Sequence, residues 1–191
     1  NNIKDISRVF YTHMHADQTH GINDLRVFSM KKNKRIPIYS DNITKKYLKR
    51  TFSYCFTKNK DYQPILKFEN IKNKLIFDQS IYIEPIKVRH GLINSLCFII
   101  NNKIAYLPDA NEIYKKDLNK FKNLKYIIID CLRYLEHPSH FNLNDILKLN
   151  IFLKPRNMIL TNLHSDLDYN KLLDILPKNI KPAYDGLSIK I

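Results

Sequence analysis

The sequence is poor in tryptophan, glycine and cysteine, and it has no long run of apolar residues. Its 191 residues include no Trp, three Gly and three Cys. Cys55, Cys97 and Cys131 stand far apart with no CxxC pair, which fits neither a disulfide scaffold nor a cysteine zinc cluster. The longest strongly apolar run, around 96–100, is too short to span a bilayer, and no charged and apolar leader opens the chain. We therefore expect a protein of a reducing cytoplasm with no membrane partner.

Acidic residues are also scarce. The chain has 18 Asp and Glu against 32 Lys and Arg, a formal net charge of +14. Such a surface attracts phosphates and favours a nucleic-acid partner. However, Ile, Lys and Asn supply 27, 25 and 21 residues, a composition typical of an AT-rich genome, and Lys outnumbers Arg 25 to 7. Because Arg is the residue suited to bidentate phosphate binding, we interpret most of this charge as a solvated surface and nucleic acid as the less favoured partner.

The remaining composition predicts one α/β domain over residues 1–191. Hydrophobic residues make up 44% of the chain, enough for an ordinary core, and no linker, repeat or low-complexity segment divides it. Short β-branched runs predict strands at 6–12, 36–40, 74–77, 81–88, 96–101, 103–107, 126–130, 157–161 and 183–191. Helical spacing and Asp or Asn caps predict helices at 24–30, 42–50, 111–121, 144–152 and 168–176. Their order indicates sheets covered by helices.

The seven histidines cluster at the ends of predicted strands, which suggests a site. The first cluster contains His13, His15 and His20, at the end of strand 6–12. In an extended chain His13 and His15 point the same way, and Asp17 follows two residues later. Two imidazoles and a carboxylate are what a borderline cation such as Zn²⁺ needs. The alternative is a polar loop with incidental histidines.

Three further strand ends carry similar groups. His90 comes before Gly91, Asp109 follows the strand 103–107, and His164 follows the strand 157–161. Each of these residues alone is more often a capping or hydrogen-bonded residue than a ligand. Together they supply three-His and Asp/His sets with a bridging carboxylate, which suits two cations about 3.5–4 Å apart.

Five ordered blocks of the sequence resemble the signature blocks of the metallo-β-lactamase superfamily. They read THMHADQTHGINDLR, VRHG, YLPDANEI, HPSHF and TNLHSDLDY. Within the superfamily they are most similar to the group around the phosphoribosyl cyclic phosphodiesterase of phosphonate breakdown, and more distantly to the tRNA 3′-processing nucleases. The resemblance implies an αββα sandwich with metals at one rim of the two sheets.

The resemblance also implies roles for individual residues, with Zn²⁺ or Mn²⁺ as the cofactor and a metal-activated hydroxide as the nucleophile. The implied ligands of the first metal are His13, His15 and His90. The implied ligands of the second metal are His164 and Asp17, which is also the active-site carboxylate. Asp109 is implied to bridge the two metals.

The sequence departs from the family pattern in two ways. Gln18 stands where the motif has a histidine, and an amide oxygen is a poorer ligand for a borderline metal. We therefore expect one tight and one weaker metal site, with His20 as a replacement ligand or, in the favoured interpretation, a residue outside the ligand set. The motif also begins close to residue 1, with no glycine before Gly21. We expect an incomplete first sheet, from a fragment or a shortened gene product, and an exposed edge that favours a homodimer.

The HPSHF block predicts the proton donor. A leaving alkoxide needs a proton, and a histidine can supply it near neutral pH. The resemblance places this general acid at His140, with His137 capping or orienting the segment. The alternative for His140 is a surface histidine near a helix start.

These observations predict a metal-dependent phosphodiesterase that acts on a cyclic or small phosphodiester. One alternative is a nuclease of the tRNA-processing type. A second alternative, favoured by Gln18, is a catalytically weakened remnant that binds metal or a partner.

Overall fold

The computed structural model describes residues 3–77 and 80–189, and it has the predicted α/β character. These residues form ten strands in two sheets and five α-helices. None of the helices in the described ranges is long and apolar enough to cross a membrane. The chain divides into two compact units, Asn1–Lys72 and Asn73–Ile191. A single domain over residues 1–191 stays a prediction.

The first unit contains a three-stranded parallel sheet in the order β1-β2-β3. Its elements are β1 (Val9–Phe10), α1 (Ala16–Thr19), a 3-10 helix (His20–Asp24), α2 (Leu25–Lys32), β2 (Ile36–Tyr39), α3 (Asn42–Thr51), a 3-10 turn (Ser53–Cys55) and β3 (Leu66–Phe68).

Local sequence signals fix the ends of these helices. The Asp41 side chain accepts a hydrogen bond from the Thr44 backbone N–H and caps α3, as the sequence predicts. Asn33 ends α2 in the left-handed conformation, with φ of 48°. The helices enclose a core that includes the fully buried Ile38 and Leu48.

The second unit contains a seven-stranded sheet in the order β10-β9-β8-β7-β6-β5-β4. Its elements are β4 (Leu75–Phe77), β5 (Ile81–His90), β6 (Ile93–Ile100), β7 (Ile104–Leu107), a 3-10 helix (Leu118–Phe121), β8 (Tyr126–Asp130), α4 (Leu143–Leu153), β9 (Asn157–Thr161), α5 (Tyr169–Ile175) and β10 (Ile180–Pro182). The strands from β4 to β7 pair antiparallel, and those from β7 to β10 pair parallel.

This topology brings several strand ends to one edge of the second sheet. Strands β7, β8 and β9 are parallel, so their carboxyl ends lie side by side. Two antiparallel steps separate β7 from β5, so β5 runs in the same direction. The residues that follow these four strands therefore converge on the same edge.

Two predicted elements are wrong. The segment 111–121 forms no α-helix, because Asn111 and Glu112 exchange backbone hydrogen bonds with Arg89 at the end of β5, and only Leu118–Phe121 is helical, as a 3-10 helix. No strand is present within the described part of 183–191, namely 183–189, where Gly186 turns the chain with φ of 91°. Residues 190 and 191 of that prediction lie outside the described residues.

The structure also has elements that the sequence pattern did not predict. Strand β3 has three residues and α1 has four, which is too short to show a periodicity. Strand β1 pairs only over Val9 and Phe10, although an apolar run predicts 6–12.

Candidate metal centre

In the first unit, the two histidines of the first cluster lie side by side. The Nε2 atom of His13 is 2.9 Å from Nδ1 of His15, and the ring centroids are 4.5 Å apart. His13 is 2% exposed, and its Nδ1 is 3.1 Å from the Thr12 hydroxyl. His15 is exposed at the start of α1, where its carbonyl accepts a hydrogen bond from the Thr19 hydroxyl. The pair presents imidazole nitrogens to one place, as the extended chain predicts.

Asp17 and Gln18 follow this pair on α1. The Gln18 amide Nε2 donates a 2.7 Å hydrogen bond to Asp17 Oδ2. Partial burial acts to raise the pKa of Asp17, but this hydrogen bond, the backbone N–H and the neighbouring His13 and His15 lower it overall. Asp17 is therefore held ionised, the state that a metal ligand requires. His20 packs its ring edge-on against Phe52, with centroids 5.6 Å apart.

In the second unit, His90 ends β5 and is 3% exposed. Its Nδ1 donates a 2.6 Å hydrogen bond to the Ser139 carbonyl, which leaves Nε2 as the nitrogen that carries the lone pair. Gly91 follows with φ of 60°, and a Cβ built there would lie 2.9 Å from Ser139 Cβ. Glycine thus permits both the turn and the close approach of Ser139 to His90.

Asp109 follows β7 and is 2% exposed. Its Oδ1 accepts a 3.0 Å hydrogen bond from Nδ2 of Asn162, which also donates to the Pro108 carbonyl at 2.6 Å. Asn162 follows β9 in the left-handed conformation, with φ of 57°. A side chain at the end of β9 therefore fixes the orientation of a carboxylate at the end of β7, with β8 between the two strands.

The half-buried His140 and the buried Asp130 form a hydrogen-bonded pair beside Asp109. The Nδ1 of His140 donates a 2.7 Å hydrogen bond to Oδ2 of Asp130 and lies 3.6 Å from Asp109 Oδ1. Asp130 ends β8, is fully buried, and also accepts from the Ala110 backbone N–H at 3.2 Å. Burial raises the pKa of Asp130, while the hydrogen bond and charge of His140 act to lower it. The ionised form of this buried carboxylate is therefore stabilised only by a cationic or hydrogen-bonding neighbour.

The ligand atoms of His90, Asp109 and His140 all lie within 4.8 Å of one another. The three side chains are those that bind Zn²⁺ and similar ions. Both imidazoles have Nδ1 held by an oxygen acceptor, which is the arrangement that orients histidine ligands in metal sites. The donor set therefore fits a divalent metal ion.

Two further histidines of the second unit are not among these three ligand groups, although the His137 ring centroid lies 5.1 Å from that of His140. His164 is exposed, and its Nδ1 donates to Asp166 at 3.0 Å. His137 accepts hydrogen bonds at Nδ1 from the backbone N–H of Ser139, at 3.3 Å, and orders the turn before His140. Burial, followed by the neighbouring His140 and Arg133, lowers the pKa of His137.

The family model described as a Beta-lactamase superfamily domain matches residues 1–162 of the chain. The chain belongs to the beta-lactamase superfamily. This confirms the resemblance that the five sequence blocks indicate.

Solved structures of other proteins have folds similar to this chain. A diphosphatase from the PhnP family is 27% identical, with a TM-score of 0.88 over 97% of this chain and 70% of that chain. The metallo-β-lactamase fold protein YhfI from Bacillus subtilis is 16% identical, with a TM-score of 0.77 over 95% and 76% of the two chains. The short form of human tRNase Z is 17% identical, with a TM-score of 0.70 over 97% and 77%. The predicted metallo-β-lactamase fold is thereby confirmed.

A curated protein of Porphyromonas gingivalis, named octanoyltransferase, is also similar to this superfamily member. The two are 27% identical over 189 residues, which cover 97% of this chain and 38% of the relative. The chain thus spans well under half the length of this relative.

Sequence reasoning missed Asp130 and Asn162. Asp130 lies at the end of a predicted strand, as Asp109 does, so the same sequence signal could have identified it. Asn162 lies in the TNLH block, but its contact with Asp109 joins residues 53 positions apart and leaves no local pattern.

Proposed function

We propose that this chain is a metal-dependent hydrolase that cleaves a cyclic or small phosphodiester. The observation that carries the proposal is the convergence of two ligand groups, His90 and Asp109, beside His140, with both imidazoles oriented through Nδ1. The 27% identity to a diphosphatase over 97% of this chain supports chemistry at a phosphorus centre.

The proposal assigns metal ligands in each unit, with Zn²⁺ or Mn²⁺ as the ion. In the first unit they are His13, His15 and Asp17, with Gln18 as a weak ligand. In the second unit they are His90, Asp109 and His164. A divalent ion, when bound, polarises a phosphoryl oxygen and lowers the pKa of water. Asn162 holds the Asp109 carboxylate in orientation for this role.

We assign the proton transfer to His140. Water adds to phosphorus and releases one of its protons to solvent, and the bond from phosphorus to the leaving oxygen breaks as the protonated imidazole gives its proton to that oxygen. The neutral imidazole then takes a proton from solvent. Asp130 fixes the ring through the hydrogen bond at Nδ1. Asp130 is therefore a positioning residue.

A second candidate substrate is a diphosphate linkage. This candidate is favoured because the solved structure that shares 27% identity with this chain is a diphosphatase. The leaving group is then a phosphate oxygen rather than an alkoxide, and it depends less on protonation by His140.

Hydrolysis of bis(p-nitrophenyl) phosphate with added Mn²⁺ or Zn²⁺ tests the proposal. We expect metal-dependent turnover that Asp109→Ala reduces to background, together with loss of bound metal. Asp174→Ala removes an exposed carboxylate of α5 and should change neither. Full metal content and turnover in Asp109→Ala would show that Asp109 has no role at the metal.

Comparison of natural linkages separates the candidates. Preferred cleavage of a nucleoside cyclic phosphate supports the phosphodiesterase, and preferred cleavage of a dinucleoside diphosphate supports the second candidate. Salt-sensitive binding and cleavage of RNA would instead indicate a nuclease. Metal binding without turnover of any of these would indicate a remnant. The cytoplasmic location and the homodimer remain predictions.

A further inference from the structure

The first unit contains a cavity of about 580 Å³ that the proposed reaction does not use. It lies between the end of α2 and the loop that leads into β3. Among the described residues that line it there is no histidine, and no residue assigned above to the metal. Its volume is that of a site for a small organic ligand.

The cavity is lined by three cations and one carboxylate. Arg26, Lys34 and Arg35 supply the positive charges, and Asp61 supplies the negative charge. Within residues 3–77 and 80–189, none of these four side chains takes part in an ion pair. The surrounding unit, 1–72, has 15 Lys and Arg against 6 Asp and Glu, so it carries most of the net charge of the chain. The cavity therefore favours an anion.

An aromatic ring stands beside these charges. Tyr62 lines the cavity and is 58% exposed, and the Arg26 guanidinium lies 5.6 Å from the centroid of its ring. An exposed tyrosine next to arginine is suited to stack a planar base, and the cations are suited to hold a phosphate.

Both walls are fixed by hydrogen bonds of their own. The Asn59 side chain accepts from the backbone N–H groups of Asp61, at 3.1 Å, and Tyr62, at 2.8 Å. On the opposite wall the Ser29 hydroxyl donates to the Lys34 carbonyl at 2.8 Å, and the Lys34 N–H donates to the Ser29 carbonyl at 3.1 Å. A preformed wall lowers the entropy cost of binding.

We infer that this cavity binds a nucleotide, with the base on Tyr62 and the phosphate among Arg26, Lys34 and Arg35. The ligand chemistry is a purine or pyrimidine ring joined through a sugar to a phosphate monoester or diester. Its source is a free nucleotide or one unit of a single-stranded nucleic acid. The inference does not depend on the proposed hydrolysis.

Titration calorimetry with AMP, adenosine and inorganic phosphate tests the inference on the intact chain. We expect AMP to bind more tightly than either fragment, and Arg35→Glu to weaken AMP binding by about tenfold or more. Tyr62→Ala should weaken AMP binding by about tenfold while leaving phosphate binding unchanged. Lys46→Glu, on the exposed part of α3, makes the same change in net charge and should have little effect.

The variant His15→Ala distinguishes AMP binding in the cavity from AMP binding at the metal. This variant should bind AMP like the unaltered chain if the cavity is the site. If AMP binding is lost in His15→Ala but kept in Arg35→Glu and Tyr62→Ala, the inference is wrong. Equal losses in Arg35→Glu and Lys46→Glu would also contradict it, because they indicate only net charge.

A six-residue oligoadenylate identifies the source of the nucleotide. Affinity equal to that of AMP indicates a free nucleotide. Affinity at least about tenfold higher, and still weakened by Arg35→Glu, indicates a single strand. An oligoadenylate or AMP affinity that neither Arg35→Glu nor Tyr62→Ala changes overturns the inference.

Discussion

Gln18 occupies one carboxylate oxygen of Asp17, which we propose as a metal ligand. In this chain the Gln18 amide donates to Asp17 Oδ2 at 2.7 Å, so the two side chains are occupied with each other. An imidazole at the same position would instead offer a nitrogen lone pair, which borderline metals prefer to an amide oxygen.

We predict that Gln18→His tightens the second metal equivalent and raises turnover. Titration calorimetry of the unaltered protein should show one tight and one weaker equivalent, and the variant should bring the second closer to the first. His20→Ala is the control, because the His20 ring packs on Phe52 and should not affect metal binding. Two equally tight equivalents in the unaltered protein, with one lost in His20→Ala, would make His20 the ligand.

The surroundings of His140 allow either of two roles, and the leaving group separates them. His140 is held by Asp130 like a proton donor, but its ligand atom also lies within 4.8 Å of those of His90 and Asp109. A general acid is needed for an alkoxide, whereas p-nitrophenolate departs without protonation.

We predict that His140→Ala lowers kcat by about 10²-fold or more on a cyclic phosphodiester. The loss on bis(p-nitrophenyl) phosphate should be much smaller, and metal content should not change. His137→Ala, at the neighbouring turn, is the control and should lose little on either substrate. Equal losses on both substrates with loss of metal would make His140 a ligand.

At the scale of elements, α4 begins three residues after His140, at Leu143, and depends on a capping box. The Asn142 side chain accepts from the Asp145 N–H at 3.0 Å, while the Asp145 carboxylate accepts from the backbone N–H of Asn142. The reciprocal bonds satisfy two of the N–H groups that a helix start leaves without partners. They also fix the point at which the chain leaves His140.

Asn142→Ala should lower the free energy of unfolding by about 1–2 kcal/mol, the usual cost of losing such a cap. Chemical denaturation measures this value. Asn144→Ala is the matched control, since Asn144 is exposed within α4 and alanine has the higher helix propensity. The same loss in both variants would show that the capping box adds nothing.

At the scale of the whole molecule, all three cysteines are buried thiols within the described residues. Burial raises the pKa of Cys131 to about 12, with Asp130, Asp145 and Asp166 adding to the effect. Burial also raises the pKa of Cys97 and of Cys55. A higher pKa means a smaller fraction of thiolate at pH 8, and thiolate is the reactive form.

We predict that a thiol reagent such as dithionitrobenzoate reacts with the native protein at least about 100-fold more slowly than with free cysteine at pH 8. Unfolding in guanidinium chloride should then release three reactive thiols per chain. Rapid reaction of any thiol before unfolding would show that the core opens readily around it.

The sequence by itself determined the α/β class, most strand and helix positions, and the family. Strands 126–130 and 157–161 were predicted to the residue, because continuous apolar runs bounded by polar residues mark buried strands. The caps Asp41, Asn142 and Asp168 act locally, and each lies within two residues of a predicted helix start. The helix predicted at 111–121 is wrong, because backbone hydrogen bonds to the distant Arg89 replace the local helical pattern there.

Only the tertiary structure decided how the candidate ligands are supported. Asp130 ends β8, and Asp109 and Asn162 follow β7 and β9, so the parallel order of these strands brings all three to one edge of the sheet. The Ser139 carbonyl reaches His90 across 49 positions, and Asp130 reaches His140 from a different element. Such contacts depend on strand order and direction, which no local spacing of residues encodes. The sequence therefore predicts the histidines and Asp109 as candidate site residues, but not the groups that orient their side chains.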